Sequence, residues 1–240
     1  MVVGIVLIMT LSAFVHGFFG FGFSAVALGL LTVNLPTRLA VAYVVSLAPI
    51  STVASALIQH RKVSYRGTLP LALGALLFFP LGVWLLFIAP EVALHIALGT
   101  VVLVAALMQL FPGKIRLFPP GLIGAAVAAA LSGLFGGAIA TPGLTMTAYI
   151  YGKETDQDVA RASLQFFFLF TTAVAAVTHG IAGTITRATL TQALYAAIPS
   201  ILALYAGISL ARRVDTEKLR YLYAGGLAIM GLYILGRAVF

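Results

Sequence analysis

The residues His16-Gly17-Phe18-Phe19-Gly20-Phe21-Gly22-Phe23-Ser24 lie in the middle of a long apolar stretch, 1–33. A bilayer span takes about 20 apolar residues, so this stretch is too long for one comfortable span and too short for two spans and a turn. A second stretch, 121–151, carries an echo: Ser132-Gly133-Leu134-Phe135-Gly136-Gly137-Ala138, then Thr141-Pro142-Gly143. Glycine costs roughly 1 kcal/mol relative to alanine inside a helix, so each cluster reads as a break in a helix. Two half-helices of about 14 residues would each reach only about 21 Å. That describes a re-entrant hairpin whose tip lies inside the protein, since irregular backbone at membrane depth needs protein or water around it. The alternative is one long, tilted, kinked helix per stretch.

The rest of the chain sets these breaks in a membrane. Hydrophobic residues make up 62% of the 240 residues and charged residues 8%, against about 25% charged in a soluble domain. Segments 39–58, 69–89, 92–110, 162–177, 190–210 and 219–235 each suit one span. The chain reads as one polytopic membrane domain, 1–240, in contact with the lipid bilayer. There is no cysteine, so no disulfide, thiolate nucleophile or cysteine metal site. In a soluble protein the net charge of +8 would suggest nucleic acid. Here the basic residues flank apolar spans, which is a topology signal, and no nucleic-acid partner is expected. Nothing before Arg38 is charged; without a basic n-region, 1–33 does not read as a signal peptide.

Charge also discriminates between the two readings of the breaks. If both stretches are hairpins, one side of the membrane receives Arg61, Lys62, Arg66, Lys114, Arg116, Lys153, Arg161, Arg212, Arg213, Lys218 and Arg220. The other side then receives only Arg38, Arg187 and Arg237 of the 14 basic residues. If both stretches cross, the 14 divide equally. The hairpin reading preserves the positive-inside bias and puts both termini on the non-cytoplasmic side of a cell inner membrane. Each half, 1–112 and 117–240, then holds a hairpin, a turn with an arginine (Arg38; Arg161) and three spans. Three is odd, so the second half enters upside down. The expected fold is therefore an all-α polytopic membrane protein of two inverted repeats, each a glycine-broken re-entrant hairpin (or kinked long helix) plus three transmembrane helices. This plan recurs in secondary transporters, with substrate held near the midplane. Pro49, Pro80 and Pro199 fall inside other spans and are expected to kink them.

The acidic residues Glu91, Glu154, Asp156, Asp158, Asp215 and Glu217 all sit at or beyond span ends. This argues against carboxylate-coupled proton transport, carboxylate metal cages and glycosidase chemistry; no metal site and no cofactor is expected. What a midplane site can offer is backbone N–H groups, hydroxyls, amides and positive charge, and these suit a small anion. The second arm of each hairpin starts near 21–24 and near 141–144, and a helix N-terminus presents unpaired N–H groups and partial positive charge. Gly20, Phe21, Gly22 and Ser24, with Gly136, Gly137 and Thr141, are the expected substrate contacts. Thr145 is a further hydroxyl. Thr141 suits an N-cap and Pro142 a first helical turn. Clustering sets Gly17, Gly20, Gly22, Gly133, Gly136 and Gly137 apart from Gly4, Gly29, Gly74, Gly82, Gly99 and Gly124, which read as helix-packing glycines.

Arg161 and Gln165 are four residues apart and share a helix face; together they suit an oxyanion. The competing reading has Arg161 snorkelling to the headgroups and Gln165 joining two helices. Arg38 is a second-rank basic candidate. His16, beside the first glycine run, is the most deeply placed titratable side chain and a candidate proton or substrate contact. The competing reading is a packed histidine bonded to a backbone carbonyl. His60, His95 and His179 read as interfacial, and the four histidines show no metal-ligand spacing.

At the glycine runs the chain resembles the sulfite exporter TauE/SafE family of membrane permeases. The resemblance rests on Gly17-Phe18-Phe19-Gly20-Phe21-Gly22 with the downstream Leu35-Pro36, and on Ser132-Gly133-Leu134-Phe135-Gly136-Gly137 followed by Thr141-Pro142. The first copy departs from the family's pattern: phenylalanines interrupt its glycines and Phe23-Ser24-Ala25 lacks the usual nearby proline. The resemblance implies transport of small sulfur-containing or carboxylated anions, such as sulfite or organosulfonates like sulfoacetate, often outward. On this reading the chain is an inner-membrane exporter working by alternating access, alone or as a homodimer. An inside-negative potential of about 100 mV would supply roughly 2.3 kcal/mol per anionic charge in the outward direction, while proton coupling through His16 stays open. An intramembrane enzyme would need a nucleophile–base pair, and Ser12 with His16 is the one local pairing, without an orienting carboxylate. A scaffold subunit would leave the repeated glycine breaks without a role.

Overall fold

The computed structural model describes residues 2–59, 62–111, 117–119, 121–154, 156–214 and 216–239. Among them the chain is all helical: α1 (Val2–Phe19), α2 (Phe23–Leu31), α3 (Thr37–Gln59), α4 (Tyr65–Ile88), α5 (Glu91–Leu110), α6 (Leu122–Ile139), α7 (Gly143–Lys153), α8 (Gln157–Ile181), α9 (Arg187–Tyr195), α10 (Ala197–Ala211) and α11 (Thr216–Val239). Seven helices are long and apolar enough to cross a membrane (α1, α3, α4, α5, α6, α8 and α11), or eight if α9 and α10 count as one bent span. Large side chains such as Leu7, Leu77, Leu122 and Ile229 face outward and Phe79, Phe167 and Leu204 are buried, as expected for helices solvated by lipid.

The six simple spans fall where the apolar segments place them, with one difference. Segment 190–210 is broken: α9 and α10 meet at Ala196 with a 46° bend. Pro199 has no N–H for the turn that precedes it, which explains a break three residues upstream. Pro49 and Pro80 lie within α3 and α4, which each remain one continuous helix.

The glycine stretches differ from expectation in two ways. Their arms are unequal, 18 and 9 residues around the first break and 18 and 11 around the second. At 1.5 Å per residue the long arms measure about 27 Å, close to the thickness of a hydrocarbon core. Moreover, only the first run breaks the helix. Gly20 and Gly22 have φ of 83° and 100°, a left-handed conformation glycine adopts without penalty. In the second stretch, α6 runs through Gly133, Gly136 and Gly137, and the break falls later, at Ala140-Thr141-Pro142, with Ala140 in the left-handed region at φ 49°.

The reason is packing. A Cβ on Gly133 would lie 2.1 Å from Ala75 O and one on Gly137 2.3 Å from Phe79 O, while one on Gly82 of α4 would lie 2.3 Å from Leu134 O. These glycines let α6 and α4 touch backbone to backbone, as small residues do between membrane helices. Gly17 does the same for α1 against Leu204 O of α10, at 2.2 Å, and Gly207 answers it against Phe14 O, at 2.3 Å. Thus α6 lies on α4 as α1 lies on α10. Gly99 and Gly231 make a reciprocal crossing of α5 and α11, each Cβ position 3.1 Å from the other's carbonyl oxygen. Gly29 and Gly74 also pack closely, against Met230 and Ala129. Gly4 faces open space, and Gly124 meets Pro119 of the preceding loop.

Candidate functional site

Both breaks open onto one central cavity. Phe21, Gly22, Phe23 and Ser24 line it from the first break and Thr141, Pro142, Gly143 and Leu144 from the second. His16 of α1, Ser51 and Thr52 of α3, Val101 of α5, and Phe168 and Thr172 of α8 complete the wall. Its volume is ≈ 60 Å³; on the same measure one ordered water needs about 10–15 Å³, so the space suits a small molecule of a few heavy atoms. The first turns of α2 and α7 therefore face the same space, each with N–H groups that a helix start leaves unpaired.

Two buried hydroxyls in this wall make no hydrogen bond to the described residues. Ser51 Oγ and Thr141 Oγ1 are both unpartnered, in residues 1% and 4% exposed. A buried hydroxyl without a partner costs about 1–3 kcal/mol, and a ligand in the cavity would relieve that cost. Thr141 is free because it does not cap: the residue before α7 is Pro142, and no side chain caps that helix. Ser132 instead holds this break, donating its hydroxyl to Pro142 O. Thr145 Oγ1 and Thr147 Oγ1 on α7 are also buried without partners.

The first break is held by an amide. Gln165 of α8 donates from Nε2 to Gly20 O at 2.7 Å. Gly20 O can only accept, so Gln165 Oε1 faces the other way, and there it accepts from His16 Nε2 at 3.1 Å. Gln165 therefore bridges the break and α1 from α8, and His16 presents its ring to the cavity. Arg161, one turn before Gln165, packs along the same break, its Nε 3.2 Å from where a Cβ of Gly20 would stand. Tyr223 of α11 closes the other side: its ring stacks on Phe19 with centroids 4.3 Å apart, and its buried hydroxyl, unpartnered among the described residues, meets Gly22.

Of the residues expected from sequence, His16, Phe21, Gly22, Ser24 and Thr141 line the cavity. Gly20, Arg161 and Gln165 stand directly behind it. Gly136 packs against Phe79 and Pro142, and Gly137 sits in the α4–α6 contact. Arg38 is elsewhere: its Nε donates to Leu86 O at 2.9 Å and its Nη2 to Phe87 O and Ala89 O at 2.8 and 3.3 Å. It caps the carbonyl end of α4, a favourable place for a cation. Ser12 donates to Ile8 O at 2.7 Å, so the pairing with His16 that an enzyme would use is not made. His95 and His179 lie near the ends of α5 and α8 and are buried, at 8% and 0% exposed; His95 Nε2 lies 3.7 Å from Glu91 Oε1 and His179 Nδ1 3.3 Å from Thr184 Oγ1. His60, Arg61, Lys114, Arg116 and Asp215, with the side chains of Glu217 and Lys218, lie outside the described residues. Sequence reasoning missed Ser51, Thr52, Thr172, Ser132 and Tyr223. No local motif marks them, since each matters only through what another helix brings beside it.

The fold is that of a polytopic helical membrane protein with a small buried cavity where two broken helices converge. The family model described as sulfite exporter TauE/SafE matches residues 5–234. The chain belongs to that family, and membership implies a membrane transporter of sulfur-related anions. No curated protein and no solved structure matches the chain.

Proposed function

We propose that this protein exports a small sulfur-containing anion, sulfite or an organosulfonate such as sulfoacetate, across the cell inner membrane by alternating access. The observation that carries this reading is the pair of unpartnered hydroxyls, Ser51 and Thr141, in a cavity shared by the starts of α2 and α7. Helix starts favour negative charge, and hydroxyls donate to oxyanions. The anion sits between the breaks, with Ser24, Ser51 and Thr141 donating to it and Arg161 supplying positive potential from behind Gly20.

The matched packing of α1 on α10 and α6 on α4, with the self-paired crossing of α5 and α11, supports two inverted repeats. In this reading α1–α2 and α6–α7 are re-entrant hairpins and rock as units about the central site. Both termini then face away from the cytoplasm.

The experiment is a thermal-shift screen of purified protein with sulfite, sulfoacetate, methanesulfonate, sulfate, acetate and a cationic control. A ligand that binds the folded state raises the melting temperature. Stabilisation by sulfite or a sulfonate, weakened in Ser51→Ala and Thr141→Val, is the expected result. Stabilisation by acetate alone would move the substrate class to carboxylates, and stabilisation by the cation alone would end the anion reading.

A further inference from the structure

His16 is the titratable side chain among those lining the central cavity, and the structure fixes what each of its ring nitrogens can do. Because Gly20 O orients the Gln165 amide, His16 Nε2 must carry a hydrogen to donate to Gln165 Oε1. That role is the same in the neutral and the charged ring. Nδ1, which has no hydrogen bond to the described residues, is the one ring position where a proton can come and go.

The surroundings make that proton depend on an anion. The ring lies beside Phe23 and Phe168, with centroids 6.5 and 6.0 Å away. Among the described residues the charged group acting on it is Arg161 of α8, which has the sign of an imidazolium. The described carboxylates, Glu91, Glu154, Asp156 and Asp158, stand at helix ends or in the loop before α8. A charge inside a membrane protein is costly unless paired, so a protonated His16 lacks a protein counterion until an anion enters. The anion in turn gains a charge-assisted donor. Linkage of this kind is reciprocal: each ligand raises the affinity for the other.

We propose that His16 Nδ1 is a proton-binding site and that the carrier moves its anion together with a proton, as a neutral pair. This rests on the anion-site reading above and adds the coupling ion to it. Gln165 is then a positioning residue, which holds His16 in the tautomer that leaves Nδ1 available. A monoanion carried with one proton moves no net charge, so the membrane potential does not drive it; export then runs down the anion's own concentration gradient, and an inward proton gradient opposes it.

The test uses the full chain in proteoliposomes with a trapped pH dye, with methanesulfonate and sulfite as probes. Sulfite's own protonation is subtracted with protein-free liposomes. The expected result is flux of methanesulfonate, or of sulfite in its monoanionic hydrogensulfite form, accompanied by about one proton and unchanged by an imposed potential. His16→Gln should move the anion without the proton and respond to potential. Potential-driven flux without proton movement in the unaltered protein, or equal proton movement in His16→Gln, overturns the proposal. Should that variant misfold, titration calorimetry of the unaltered protein in two buffers of different ionisation heat counts the protons directly. Uptake of about one proton per anion supports the proposal; no uptake overturns it. Affinity should also fall about tenfold per pH unit on the alkaline side of the midpoint, and Gln165→Met should shift that midpoint without lowering the melting temperature to match. An unmoved midpoint removes the positioning role. If neither probe binds or moves, the anion reading fails and the proton proposal falls with it.

Discussion

Thr52 Oγ1 and Thr172 Oγ1 lie 2.8 Å apart, joining α3 to α8 in the wall of the central cavity. Thr172 Oγ1 also lies 2.7 Å from Phe168 O, and Thr52 Oγ1 3.1 Å from Pro49 O. Each hydroxyl has one hydrogen, so when Thr172 uses its own on Phe168 O, Thr52 is the donor across the interface. Thr52→Val removes that donor, and Thr172→Val leaves Thr52 able to turn to Pro49 O. Thr52→Val should therefore cost about 1 kcal/mol and Thr172→Val less, with coupling between them. Additive losses of melting stability in the double variant would show that the contact joins nothing.

Ser51 and Thr141 should separate binding from stability. Their hydroxyls are buried and unpartnered, so Ser51→Ala and Thr141→Val remove an unsatisfied group and should leave the ligand-free protein as stable or slightly more so. Anion affinity should fall about tenfold for each, the equivalent of roughly 1.4 kcal/mol. Unchanged affinity in both, measured by calorimetry, would remove them from the site.

Arg38 of α3 and Arg161 of α8 should behave in opposite ways. Arg38→Ala strips three carbonyl contacts from the end of α4 and should lower melting stability by about 1–3 kcal/mol with anion affinity intact. Arg161→Ala, beside Gly20 and acting on His16, should weaken anion binding more than it weakens the fold. A reversal of this pattern would place the anion at the other arginine.

Glycine substitutions give a graded series. Gly17→Ala and Gly137→Ala drive a methyl against backbone carbonyls at 2.2 and 2.3 Å, and neither carbonyl can give without moving a helix. Each should cost about 1–3 kcal/mol or more. Gly22→Ala adds a strained φ of 100° to a clash with the Tyr223 hydroxyl. Gly4, whose Cβ position meets nothing within 4 Å, should accept alanine at no cost. Equal melting temperatures across the series would deny the close crossings.

Lys62 Nζ pairs with Asp158 Oδ2 at 2.6 Å, tying the turn between α3 and α4 to the start of α8. Asp158 holds the Lys62 ammonium above the usual lysine range. Lys62 in turn holds the Asp158 carboxyl below the usual range, so the tie is complete between the ordinary aspartate and lysine values of about 3.9 and about 10.4 and is lost as pH rises through the elevated lysine value or falls through the depressed aspartate one. Both side chains are exposed, so salt screens the pair. Hydrogen exchange at residues 62–66 should quicken in high salt and in Lys62→Met, with the melting temperature almost unchanged.

The sequence alone settles the solvent and the places of the six simple apolar segments. Runs of about 20 apolar residues between charged turns have no stable form but membrane helices, because lipid offers no partner to an unpaired backbone group. The first break is legible too: Gly20-Phe21-Gly22 demands positive φ, and glycine supplies it locally. His16, Ser24 and Thr141 are legible as polar residues beside such breaks. Tertiary structure alone decides what a glycine is for. Gly133 and Gly137 look like a second break, yet they serve a backbone contact with α4, and the real break falls at Ala140, where Ser132 and Pro142 hold it. It likewise separates Arg38, a helix cap, from Arg161 behind the cavity, and assembles Ser51, Thr52 and Thr172 from two helices more than a hundred residues apart. Such roles come from distances between helices, and those distances follow from how small residues on one helix meet carbonyls on another.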